Sequence, residues 1–306
     1  MLPFRLVYHE GYDLDLGEHV FPSRKYRLIR DRLLAQGIAL PGDFVAPLPP
    51  SDAILRLVHS ERWIQRLFSG TLSYQEVARL EIPYSRRMVN GCRLAVGGTI
   101  LASRLALAEG LGFNIGGGFH HAFEGHGEGF CPLNDVAVAI RLLLSEGAIE
   151  RAMVVDCDVH QGNGTATLFA GDPRVFTFSI HQQNNYPATK PPSDLDVNLE
   201  DGVGDEEYTD LLLRHYVPAL IDHRPQLIVY LAGADPYYQD ELGGLALTMN
   251  GLRNRDRFVI ETAMRRGAGV AVTLAGGYAF LLQDTVLIHI NTVRAAAEAV
   301  HAVRGR

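Results

Sequence analysis

The chain has 306 residues, 47% of them hydrophobic and 21% charged, the balance of an ordinary globular protein with a sizeable core. Lys and Arg number 28 against 35 Asp and Glu, a net charge of −7, so a nucleic-acid surface, which needs a basic face, is not expected. The opening Met1-Leu2-Pro3-Phe4-Arg5 lacks the pattern of a signal peptide, and no apolar run approaches the ~20 residues that a membrane span needs. Cys92, Cys131 and Cys157 have no CxxC spacing, and a reducing cytoplasm is the expected location.

In chain order, Phe4 to Tyr8 reads as a strand. Pro41 to Pro50, with four prolines, reads as irregular. Ser51 to Phe68 reads as one amphipathic helix, capped by Ser51 or Asp52. Gly112 to Ile115 is the next strand, and a helix runs from Asn134-Asp135 to Gly147, a candidate left-handed closing residue. Met153 to Cys157 and Val175 to Ile180 are strands. Asn184 to Gly204 is polar and rich in Pro, Asp and Gly, and loops this long inside a domain are usually functional. Then come a helix from Glu206 to Ile221, which Pro218 can kink or end, a strand from Leu227 to Leu231, a helix from Arg253 to Arg266, a strand from Val270 to Leu274 and a helix from Thr285 to Val303. This alternation predicts an α/β fold with a parallel sheet covered on both faces. It continues across both irregular segments, so 1–306 reads as one domain.

The run Asp156-Cys157-Asp158-Val159-His160 puts two carboxylates and an imidazole at alternating positions. On extended backbone the three project together, and Cys157 and Val159 face away. Such a cluster needs a positive partner, of which a divalent metal is the usual one. Four further apolar runs lead into polar or glycine residues, at Gly116 to His121, Ser179 to His181, Gly233 to Pro236 and Gly276 to Tyr278. Ligands of open parallel sheets bind outside the carboxyl ends of the strands, so all five segments converge on one edge. His181 reads either as a structural histidine or as a ligand. The triplet Gly116-Gly117-Gly118 lacks both P-loop and full GxGxxG spacing, which argues against nucleotide binding. Asp205-Glu206-Glu207 reads as a solvated helix start with no catalytic role.

The motifs GGGFHHA (116–122), GFCPLND (129–135), DCDVHQGNGT (156–165), FSIH (178–181), GADP (233–236) and GGY (276–278) together resemble the zinc-dependent histone deacetylase superfamily. The opening around Tyr8 and from Phe21 to Tyr26, with Tyr186-Pro187, is most similar to class IV members and their prokaryotic relatives. The resemblance implies a three-layer α/β/α fold around an eight-stranded, mostly parallel sheet. It implies one Zn2+ held by Asp158, His160 and Asp235. His120 and His121 match the family's tandem catalytic histidines, with Asp156 orienting His120 and Asn163 orienting His121, where many members carry Asp. Tyr278 matches the tyrosine that grips the substrate carbonyl. Gly129, Phe130, Tyr186 and Leu242 match an acyl-lysine tunnel, and Asp156, Asp158, His160, Ser179 and Ile180 match a K+ site.

The implied reaction is removal of an acetyl or longer fatty acyl group from acyl-lysine in a protein or peptide. Three rivals stand beside it: a dimanganese ureohydrolase, an amidohydrolase of acetylpolyamines or other small acylated amines, and a non-catalytic acyl-lysine binding module. The first needs an extra Asp two residues before Asp235, where this chain has Gly233.

Overall fold

Runs such as Ala152-Met153-Val154-Val155 and Leu227-Ile228-Val229-Tyr230-Leu231 are apolar on both faces and too short for stable helices. Each becomes a strand buried along its whole length. In the computed structural model, which describes residues 1–305, the strands are β1 (Arg5–Val7), β2 (Phe44–Val45), β3 (Leu111–Asn114), β4 (Ala152–Asp156), β5 (Val175–Gln182), β6 (Leu195–Leu199), β7 (Leu227–Leu231) and β8 (Gly269–Thr273). They form one eight-stranded sheet in the order β2-β1-β3-β8-β7-β4-β5-β6, and every pairing is parallel. Arg306, within the span read as one domain, lies outside the described residues.

Two groups of helices cover the sheet, as the three-layer expectation requires. Arg86–Glu109 packs across β1, β3, β8 and β7 with Asp135–Ser145 beside it, while Asp205–His223, Met249–Arg265 and Leu282–Arg304 pack among themselves, the last against Lys25–Ala35. Arg86–Glu109 is long and apolar enough to cross a membrane by composition alone, but it serves here as a core helix on the sheet.

The structure departs from the sequence reading at particular places. Ser51 to Phe68 is two helices, Asp52–Leu55 and Glu61–Ser69, because Ser60 is extended and its hydroxyl accepts from the Trp63 N–H as an N-cap. Ser51 stands at the first N-cap without a side-chain bond. Both segments read as irregular contain a strand, β2 and β6, and these are the two edges of the sheet. Short edge strands flanked by Pro and Asp resemble loops because protein edges are blunted with those residues. Pro218 neither kinks the chain out of helix nor ends it, since Asp205–His223 continues through it. Asn134 caps Asp135–Ser145 by accepting from the Ala137 N–H, and Gly147 is left-handed at φ 68°, both as expected.

One buried cation ties the sheet edge together. Arg255 donates to the Cys157 carbonyl (3.0 Å) and the Gly233 carbonyl (2.8 Å) while paired with Asp256 (2.8 Å), so a single side chain pins the loops that follow β4 and β7. Arg255→Met would leave Asp256 without its partner charge and two carbonyls without a donor. We expect a loss of about 3–5 kcal/mol in urea unfolding, the range for breaking a buried ion pair. An unchanged midpoint would show that these loops hold without it.

Candidate active site

The ends of β3, β4, β7 and β8 deliver the reactive side chains. After β3, the backbone N–H groups of Gly118 and Phe119 donate to the buried Asp135 carboxylate (2.9 and 2.7 Å), which fixes the turn that presents His120 and His121. After β4 the chain leaves extended geometry at Asp156, which separates residues expected to point the same way. Asp158 and His160 turn toward Asp235 at the end of β7, and the ligand atoms of these three buried residues lie within 4.8 Å of one another. Asp156 instead meets His120, with its carboxylate 2.6 Å from Nδ1. Cys157 faces away as expected, and burial pushes its thiol up to about 12, so it offers no thiolate.

The Asp158–His160–Asp235 cluster has the chemistry of a metal site. His160 Nδ1 lies 3.0 Å from Asp158 Oδ1 and 3.5 Å from Asp235 Oδ2, and Asp235 Oδ2 has no hydrogen-bond partner although it is fully buried. Burial, with Asp158 beside it, pushes the Asp235 carboxyl up to about 6. A buried carboxylate oxygen without a donor is costly unless a cation meets it. The cluster can hold a metal ion. Glycines make room for it: a Cβ on Gly276 would fall 1.8 Å from Asp235 Oδ2, and the Gly276 N–H donates to Asp158 Oδ2 at 2.7 Å.

The two tandem histidines differ sharply. Their rings lie 4.0 Å apart between centroids. Burial disfavours the charged form of His120, but the Asp156 and Asp158 carboxylates outweigh it and raise the ring to about 9. His121 is held well below the ordinary histidine value by burial and then by His120 and His160. Its Nδ1 lies 2.7 Å from Asn163 Oδ1. These surroundings favour the protonated form of His120 and the neutral, proton-accepting form of His121. Tyr278 keeps its hydroxyl proton, since burial and the nearby Asp158 and Asp235 push it well above the usual phenol range.

A cavity of about 310 Å³ opens onto this cluster, and Gly129, Phe130, Tyr186 and Leu242 all line it, together with His121, Asp158, His160 and Tyr278. Phe130 stacks on Phe21 at 6.0 Å between centroids, and Tyr186 stands edge-on to His121 at 4.8 Å. Phe21 was not read as a wall of this tunnel. Lys25, also unassigned, is fully buried and donates from Nζ to the Ala275 carbonyl at 3.0 Å. Burial pulls its ammonium down to about 8, against the pull of Asp235, Asp158 and Asp240. Asp240 likewise escaped the sequence reading; it accepts from the Tyr278 N–H at 2.6 Å. Phe21 and Lys25 both belong to the Phe21 to Tyr26 segment that carries the resemblance, which was the available signal. His181 lies outside the Asp158–His160–Asp235 cluster, with Nδ1 2.9 Å from Ser179 Oγ. The register sets Asp156 beside Ser179 across β4 and β5, two of the five positions named for potassium.

The family described as "Histone deacetylase domain" matches residues 19–293. The chain belongs to the histone deacetylase family. It is 43% identical to an uncharacterized protein of Picosynechococcus sp., over 96% of this chain and 99% of that one. It is 31% identical to Histone deacetylase 2 of Arabidopsis thaliana, over 89% of this chain and 74% of the relative. The solved structure of the HDA15 HD domain superposes with a TM-score of 0.81 over 99% of this chain and 93% of that one; at 22% identity it supports the deacetylase fold. Membership makes this deacetylase-family chain a hydrolase.

Proposed function

We propose that this protein is a zinc-dependent deacylase that removes acetyl or longer acyl groups from the side-chain amine of acyl-lysine. The observation that carries this reading is the buried Asp158–His160–Asp235 cluster, with an unpartnered carboxylate oxygen, of which Asp158 and His160 line an aromatic-walled tunnel. Two carboxylates and one imidazole are a catalytic zinc set, which leaves a coordination position for water and substrate. Zinc bound there supplies Lewis acidity, polarising an acyl carbonyl and lowering the pKa of water toward ~7. A potassium ion at Asp156, Asp158, His160, Ser179 and Ile180 belongs to the same proposal.

The chain's own residues do the rest. His121, neutral and with its Nδ1 engaged by Asn163, accepts the water proton at Nε2. Tyr278, with its proton retained, donates a hydrogen bond to the oxyanion that forms as the carbonyl is attacked. His120, held as a cation by Asp156, steadies that negative charge and is placed to protonate the departing amine. Phe21 and Phe130 flank the aliphatic stem of the lysine. A dimanganese arrangement is disfavoured because a side chain at position 233 would meet Asp158 Cα at 2.7 Å and Asp235 Oδ1 at 2.8 Å.

The test is turnover by the zinc-loaded chain on peptides with lysine acyl groups of increasing length, with acetylspermidine in competition. We expect acyl-lysine cleavage that a chelator abolishes and zinc restores, and Tyr278→Phe should lower kcat roughly 10²–10³-fold, the cost of one lost oxyanion donor. Preference for the polyamine would replace the substrate, and Tyr278→Phe turnover near wild type with zinc still bound would remove the role given to that hydroxyl.

A further inference from the structure

The partner of His121 Nδ1 is an amide, Asn163, so His121 lacks a carboxylate of its own. A carboxylate is nevertheless present one step further out. Glu128 Oε1 accepts from Asn163 Nδ2 at 2.7 Å, and Asn163 Oδ1 faces His121 Nδ1 at 2.7 Å. The same Glu128 oxygen accepts from the Tyr186 hydroxyl at 3.0 Å, and its Oε2 lies 3.2 Å from His126 Nε2. The Gly164 N–H also donates to Asn163 Oδ1, at 3.0 Å. A carboxylate only accepts, so the Asn163 amide must turn its NH2 toward Glu128 and its oxygen toward His121. That oxygen can only accept, from the Gly164 N–H and from His121 alike, which makes His121 Nδ1 a donor and leaves Nε2 free.

A tight turn puts the carboxylate there. Gly129 and Phe130 are both left-handed, at φ 52° and 67°, and the Cys131 N–H closes onto the Glu128 carbonyl at 2.9 Å. This sends Phe130 into the tunnel and Glu128 behind it. Burial opposes ionisation of Glu128, but hydrogen bonds from His126, Asn163 and Tyr186 outweigh it and hold the carboxyl below its usual range.

We propose that Glu128 is a positioning residue that delivers, through the Asn163 amide, the negative charge that supports His121 when it takes up a proton. Hydrogen bonds in a chain polarise one another, so an amide donating to a carboxylate presents a more negative oxygen on its other side. The inference rests on the role of His121 as general base.

The test uses Glu128→Gln, Asn163→Asp and the double variant in the zinc-loaded full chain. Glu128→Gln keeps an oxygen to accept from Asn163 and Tyr186 but removes the charge. We expect kcat to fall about 10- to 100-fold, the usual cost of a lost outer partner, with KM unchanged. Asn163→Asp sets two carboxylates face to face and should also lose activity. The double variant moves one charge inward and gives it an amide partner, so its kcat should return to within a few-fold of wild type. A second readout is the proton resonance of the His121 ring N–H, recorded with and without zinc. It should move upfield in Glu128→Gln and back downfield in the double variant. An unmoved kcat and resonance in Glu128→Gln, or a double variant no better than Glu128→Gln alone, overturns the proposal. If wild type cleaves no acylated amine, the functional reading fails, and the resonance still decides whether Glu128 acts on His121.

Discussion

His121→Ala is expected to cut kcat by roughly 10²–10⁴-fold, the range for losing a positioned general base, while one zinc per chain is retained. The retention follows from geometry. The atoms that could hold a metal belong to Asp158, His160 and Asp235, and the His121 ring stands 6.0 Å from that of His160 between centroids, tied instead to Asn163. At 1.36 kcal/mol per tenfold, the loss corresponds to about 3–5 kcal/mol in the transition state. The two readouts separate the alternatives. Turnover lost together with zinc would make His121 a ligand, and turnover kept would pass its proton to another group. His120 is a poor substitute, because the Asp156 carboxylate at 2.6 Å keeps that ring protonated.

Much of this site is written locally in the chain. Asp156, Asp158 and His160 sit within five residues of a buried strand end, and strand ends on one edge of a parallel sheet bring distant segments together. The strands Met153 to Cys157 and Leu227 to Leu231 were legible because a run apolar on both faces, β-branched and too short for a helix fits a doubly buried strand. The alternation rule failed one residue past the strand: beyond Asp156 the chain bends, and side-chain parity no longer says where Asp158 points. Edge strands β2 and β6 were hidden by the prolines and charges that protect edges. The long helix Arg86–Glu109 was hidden by Gly91, Gly97 and Gly98, which lower helix propensity but let Gly11 and Leu14, Leu48, and Tyr12 and Asn114 respectively pack close. Glu128 could not be assigned because its meaning is set by partners far along the chain, Asn163 and Tyr186. A lone Glu carries no local pattern.

Asp235→Asn should empty the site without unfolding the protein. Asp235 Oδ1 accepts from the Val159 N–H at 2.9 Å, and an asparagine oxygen can keep that bond, so the loop after β7 stays in place. What disappears is the second oxygen, Oδ2, the buried atom that has no donor and faces His160 Nδ1 at 3.5 Å. An amide NH2 in its place is a donor aimed at a cation, and zinc loses one of three protein ligands. Measured by elemental analysis after dialysis, the variant should carry no stoichiometric zinc, and deacylation should vanish with it. Stability gives an independent reading. A metal that binds only the folded chain adds RT ln(1 + [L]/Kd), about 4 kcal/mol at a thousandfold excess over Kd, so zinc should raise the unfolding midpoint of wild type and leave Asp235→Asn unmoved. A variant that still holds one zinc per chain would show that Asp158 and His160 suffice, and the three-residue metal site would have to be redrawn.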